Sequence, residues 1–206
     1  IEAWRLKQSE ERTKRKRPDM YYAYKGSEFD INRDIYLDNS ATTKQSQTVT
    51  DEMCRVYNEF YGNPSSLHPL GFIAEKEMKR CRQIIGDAVC ANENEIYFTS
   101  GGSESNNWAI KGYAEANSRK GRHIIISAIE HPSVTETANA LAKQGYEISF
   151  APVDKSGAVI LDEIKNLMRP DTILISVMHV NSETGAIQPI REISKLRYVK
   201  SPDAAL

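Results

Sequence analysis

The residues of this chain best suited to chemistry stand in short clusters. Phe98-Thr99-Ser100-Gly101-Gly102-Ser103-Glu104-Ser105-Asn106-Asn107 joins a predicted strand to a predicted helix through a Gly-Gly-Ser turn. Two glycines let a backbone approach an anion with no Cβ in the way, and the first N–H groups of the following helix lack intrahelical partners. The Ser103 hydroxyl and the helix macrodipole add to that attraction, so the turn suits a phosphate. An ordinary strand-to-helix connection with a Ser N-cap uses the same residues, and a short glycine motif leaves both readings open. Glu130-His131-Pro132-Ser133-Val134 sets an imidazole just before a helix start. Imidazole titrates near neutrality and suits acid or base work, and a capping or hydrogen-bonded loop histidine is the alternative. Val177-Met178-His179-Val180-Asn181-Ser182-Glu183-Thr184-Gly185 adds an amide and hydroxyls.

Alternating elements must carry these clusters. Periodic apolar residues predict helices over 48–61 (Val49, Met53, Val56, Tyr57, Phe60) and 74–89 (Met78, Cys81, Ile84, Ile85). A strand is expected over Glu95–Thr99, then a helix over 103–117. The run His123-Ile124-Ile125-Ile126-Ser127 reads as a strand buried on both faces, as in a parallel sheet. A helix over 132–144, strand over 146–153, helix over 161–168, strand over 172–180 and helix over 190–199 complete the pattern. Such repetition implies a mostly parallel sheet with helices on both faces, with ligands gathering at the carboxyl ends of the strands. The motif loops lie at those ends.

Taken in order, Ile35-Tyr36-Leu37-Asp38-Asn39-Ser40-Ala41-Thr42-Thr43, Gly62-Asn63-Pro64-Ser65-Ser66-Leu67-His68 and the three clusters above resemble the cysteine desulfurases of the NifS/IscS-like group. These are pyridoxal-phosphate enzymes of fold type I, relatives of the class V aminotransferases. The resemblance covers about Ile35 to Leu206. It implies an α/β three-layer sandwich, the incomplete large domain of that fold, with small-domain helices near the N-terminus. It further implies removal of sulfur from L-cysteine, giving alanine and an enzyme-bound persulfide that passes to sulfur-acceptor proteins for iron–sulfur cluster or thio-cofactor assembly. A homodimer is implied as well.

Residue by residue, the resemblance puts Gly102 and Ser103 at the cofactor phosphate, where the family usually has Thr at the latter position. His131 matches the imidazole that stacks on the pyridine ring. Asn181 and Ser182 match two adjacent Asn residues, the second of which approaches the cofactor's phenolic oxygen; Ser182 is a departure, with a shorter donor. Asn39, Ala41, Thr42, Asn63 and His68 match segments near the substrate entrance, and for Asn63-Pro64 a structural turn is an equal reading. In the family the Asp that pairs with the pyridine nitrogen, the Schiff-base Lys and the nucleophilic Cys all come after the position of Leu206, so residues 1–206 by themselves are expected to be inactive. Two rival readings stand beside this one: another class V lyase or aminotransferase such as a selenocysteine lyase, and a non-catalytic scaffold of the same fold that uses the basic arm.

Composition is compatible with a soluble globular piece: 206 residues, 40% hydrophobic, 27% charged, net charge -1. No apolar run approaches the ~18 residues of a membrane span. Cys54, Cys81 and Cys90 form no CxxC pair, no His stands at metal-ligand spacing, and a reducing, cytoplasmic setting is expected. Cys54 and Cys81 read as small buried hydrophobes. Residues 1–34 form a basic extension or linker before a domain of residues 35–206. Its run Arg12-Thr13-Lys14-Arg15-Lys16-Arg17, beside Tyr21, Tyr22 and Tyr24, could contact nucleic acid. A solvated helix or connecting segment is the favoured reading, since Glu2, Glu10 and Glu11 offset the charge, so nucleic acid is not an expected partner.

Overall fold

Ile124, Ile125 and Ile126 are each 0% exposed, and their side chains go to opposite sides of one sheet. The computed structural model in which they sit describes residues 2–18, 20–21 and 36–206, with side chains from residue 7 onward. Tyr22, Tyr24, Ile35 and the expected boundary between 34 and 35 lie outside the described residues. The chain divides into two units, Ile1–Gln45 and Ser46–Leu206.

In the first unit, α1 (Glu2–Lys16) contains most of the basic run, with Lys14, Arg15 and Lys16 in its last turn. Cations there complement the negative end of the helix dipole, so the helical reading of the run holds. Residues 36–43 form a tight turn. The Tyr36 hydroxyl lies 2.9 Å from both the Asp38 and Thr42 carbonyls, which share its single hydrogen, and the Asn39 amide donates to the Tyr36 carbonyl at 3.3 Å.

In the second unit the helices are α2 (Gln47–Glu59), α3 (Pro69–Val89), α4 (Gly102–Ala116), α5 (Pro132–Ala142), α6 (Leu161–Leu167) and α7 (Ile190–Lys200). The strands are β1 (His123–Ser127), β2 (Glu147–Ala151) and β3 (Thr172–Ser176), all parallel in the order β2-β1-β3. Register runs from His123 opposite Glu147 to Ser127 opposite Ala151, and Ile125 lies opposite Ile175. Ile124 and Ile126 pack with Ile110 and Ala114 of α4 and with Val134, Ala138 and Leu141 of α5. Ile125 packs with Ile175, Ile164 of α6 and Ile193 of α7 on the other face. Burying both faces of a parallel sheet gives the expected three-layer α/β sandwich. Beyond β3, Ala205 pairs in parallel with Leu174, and its N–H donates to the Ile173 carbonyl at 2.9 Å.

Several expectations need correction. Glu95–Thr99 is not a strand: Glu93–Glu95 is a 3-10 turn and 96–99 is irregular. A strand exists through its ladder, and among the described residues none lies alongside; Tyr97 and Phe98 stay 66% and 51% exposed, and the Ile96 carbonyl accepts from Arg82 Nε at 3.2 Å. The third strand stops at Ser176 rather than continuing to Val180, because the Met178 N–H leaves the ladder for the Glu130 carboxylate at 2.6 Å. Helix α3 begins at Pro69, ahead of the expected Ala74, because His68 caps it and Pro69 fits the first turn. Cys54 is exposed rather than buried, since α2 has no buried residue, while Cys81 is partly covered; Cys54, Cys81 and Cys90 are free thiols. Among the described residues no helix is long and apolar enough to cross a membrane.

Candidate functional site

At the start of α4 the N-cap is Gly101, and no side chain caps it. Ser103 therefore stands inside the first turn and is not the N-cap. The N–H groups of Gly102, Ser103 and Glu104 fall among those that a helix start leaves without intrahelical acceptors. Open space lies where a Cβ of Gly101 or Gly102 would project. Glu104 folds back, its Oε2 accepting from the Ser100 hydroxyl at 2.6 Å and the Ser100 N–H at 2.7 Å. Those two bonds, the hydroxyl first, hold the Glu104 carboxyl below its usual range. Its charge is thereby engaged with Ser100. An exposed, uncapped first turn with two glycines and the exposed Ser103 fits a phosphate group.

His131 follows β1 and is the N-cap of α5, with Pro132 in the first turn. Its Nδ1 accepts the Ser133 N–H at 3.1 Å, and the Ser133 hydroxyl lies 2.8 Å from the same nitrogen. The Asn106 amide of α4 donates to that hydroxyl oxygen at 2.8 Å. The helix that begins at the glycine turn is thus tied to the histidine cap. Both readings of His131 meet here: it caps a helix, and it remains exposed at the carboxyl end of β1.

The loop after β3 is held from two sides. Glu130 Oε1 accepts from the Ser127 hydroxyl and from the Met178 N–H, each at 2.6 Å. Asn181 is 8% exposed. Its Oδ1 accepts from the N–H groups of Glu183 and Thr184 at 3.0 and 2.9 Å and from the Thr184 hydroxyl at 3.1 Å. Its Nδ2 donates to the Ile129 carbonyl and to Met178 Sδ, both at 3.3 Å. Asn181 therefore shapes the loop with its whole amide, and the exposed side chain beside it is that of Ser182. His179 gives its carbonyl to Gln188 N–H at 2.9 Å, and Gln188 bridges to Val159 N–H and the Gly157 carbonyl, both at 2.8 Å.

The second unit thus brings together Gly102, Ser103, His131, Asn181 and Ser182 through linked loops. Asn39, Ala41 and Thr42 belong to the first unit, in the turn described above. Around Asn63 the structural-turn reading holds: its Oδ1 accepts the Ser65 N–H at 2.9 Å, and a Cβ on Gly62 would strike the Leu70 carbonyl. Sequence reasoning missed Asn106, Ser133 and Glu130 as ties. A helix-start reading of His-Pro-Ser could have found Ser133, whereas Asn106 is recognisable only once α4 and α5 pack side by side.

Residues 35–204 match the family model for aminotransferase class-V. A cysteine desulfurase IscS of Methanosarcina thermophila is 50% identical over 165 residues, which is 80% of this chain and 41% of that protein. A solved NifS-like protein superposes with a TM-score of 0.80 at 38% identity, over 82% of this chain and 47% of its own. Another, described as SspA in complex with cysteine, has a TM-score of 0.73 at 36% identity and covers 80% of this chain and 47% of its own. The chain spans less than half the length of each of these relatives.

Proposed function

The chain belongs to the class-V aminotransferase family, and from that premise we propose that the complete protein is a pyridoxal-phosphate-dependent cysteine desulfurase. The observation that carries this reading is the linkage of an uncapped glycine turn, an exposed histidine and the Asn181–Ser182 loop at the carboxyl ends of parallel strands. Pyridoxal phosphate, when bound, supplies an electron sink for substrate carbon. The first-turn N–H groups with the Ser103 hydroxyl would hold its phosphate, His131 would meet its ring, and Ser182 would offer a hydroxyl where the family has an amide. Asn181 and Glu130 position these groups by closing their loops on one another.

In the overall reaction the C–S bond of L-cysteine breaks, the sulfur passes to a protein thiolate as a persulfide, and the carbon takes a proton to give alanine. Sulfur-acceptor proteins then collect the persulfide sulfur. Residues 1–34 serve as an extension or linker and 35–206 as the N-terminal portion of the transferase fold. A dimer is the expected assembly, supported by the exposed Tyr57, Tyr61, Leu67 and Phe72 beside an α2 with no buried residue; sedimentation of the full-length protein checks it, and a monomer would remove it.

The reading is tested by incubating the full-length protein, loaded with pyridoxal phosphate, with L-cysteine and a thiol reductant. Equal release of alanine and sulfide is expected. Turnover of selenocysteine without cysteine would assign the lyase reading, and turnover of neither would favour the scaffold.

A further inference from the structure

The donors around His131 restrict what its imidazole can do. Nδ1 receives the Ser133 N–H at 3.1 Å and lies 2.8 Å from the Ser133 hydroxyl oxygen. The backbone N–H already requires a lone pair on Nδ1, so the hydroxyl meets it as a donor, while its oxygen accepts from the Asn106 amide at 2.8 Å. Two donors converge on one ring nitrogen, which must then carry a lone pair, and the proton of the neutral ring belongs on Nε2. Protonation of Nδ1, whether as the other tautomer or as imidazolium, would face two N–H or O–H donors with a third.

We propose that the Asn106–Ser133 pair and the helix cap hold His131 as the neutral Nε2–H tautomer, so that it presents a hydrogen-bond donor toward its ligand. Ser133 and Asn106 are thus positioning residues. The functional consequence rests on the cofactor reading above, but the tautomer itself does not.

The test is 15N spectroscopy of the histidine rings in the full-length protein without cofactor or cysteine, at about pH 8.5, two units above ordinary imidazole titration. The His131 signals are identified by their loss in H131Q. Wild type should show an acceptor-type Nδ1 and a protonated Nε2. Ser133→Ala should raise the Nδ1–H fraction roughly fivefold, the equilibrium change that one neutral hydrogen bond supports. Ser133→Thr should restore the wild-type ratio, and Asn106→Ala should move it the same way as Ser133→Ala but less. His68, whose Nδ1 among the described residues takes only the Gly71 N–H at 3.3 Å, should not respond to any of these. Protonation at Nδ1 in wild type would overturn the proposal. So would an unchanged ratio in Ser133→Ala with its circular dichroism intact, or, should that variant fold poorly, an unchanged ratio in Asn106→Ala.

Discussion

His68-Pro69 and His131-Pro132 are the same local device used in two places. Each histidine is an N-cap in extended conformation, each proline fills the first turn, and each Nδ1 takes a backbone N–H of the helix it opens. Around His68, among the described residues, the device stops there and serves to start α3. Around His131 the Ser133 hydroxyl also meets that nitrogen, the Asn106 amide of a second helix holds the hydroxyl, and the loop lies at the carboxyl end of a buried parallel strand. A histidine becomes a candidate for chemistry through what the surrounding fold brings to it, not through its cap.

The strongest test of that contrast is to remove each ring. In the full-length protein His131→Ala should cost turnover on the order of 10²–10³, the range for losing a donor aimed at the reacting group, with cofactor still retained. A loss nearer 10⁴ with normal retention would instead indicate proton transfer and would count against the donor role. His68→Ala should register in stability, as about 1 kcal/mol for a lost cap in urea denaturation. Equal effects of the two substitutions on both readouts would erase the distinction.

Next in size is the phosphate turn. Ser103→Ala removes one hydrogen bond to a charged group, worth roughly 1.5–3 kcal/mol, while the backbone donors stay. Cofactor retention measured by dialysis should fall accordingly, and unchanged retention would mean that the hydroxyl faces elsewhere.

Another histidine sharpens the comparison by its burial. His123 is 0% exposed at the start of β1, with Nδ1 2.7 Å from Thr172 Oγ1 and Nε2 2.9 Å from Ser149 Oγ. Thr172 Oγ1 accepts from the Arg169 N–H at 2.9 Å, so its hydrogen points to Nδ1, and the neutral ring is again the one that fits. Burial first, then the nearby Arg169 charge, pushes its pKa below the ordinary histidine value. The unfolded chain then binds the proton more readily than the fold. The stability contributed by the neutral ring is present above about pH 6.5 and lost as pH falls through the lower folded value. Denaturation midpoints should drop over that acid window and drop less in His123→Gln; identical profiles would remove the assignment.

The smallest effect is expected at Ser182. Ser182→Asn, which restores the amide usual in the family, should shift the visible spectrum of the bound cofactor with little change in stability, because Ser182 is exposed and Asn181 already holds the loop. No spectral change would mean that this side chain does not face the ring.

Much of this was written in local sequence. The three isoleucines of β1 form a strand at the residues expected, because a run that is apolar on both faces can be satisfied only inside a sheet. Helix α4 begins within a residue of expectation, since Gly101 caps it and the apolar spacing from Trp108 onward sustains the helix. The order of the motifs was enough to indicate the family. Tertiary packing decided the rest. The segment 96–99 has strand-forming residues yet, among the described residues, no neighbour to complete a ladder, so it stays irregular. Asn181 reads in sequence as a residue for the ligand, and its buried amide also closes the loop by accepting from two N–H groups and a hydroxyl. The Asn106–Ser133–His131 chain spans residues 27 apart at its first link, and only the packing of α4 against α5 brings those groups within hydrogen-bonding distance.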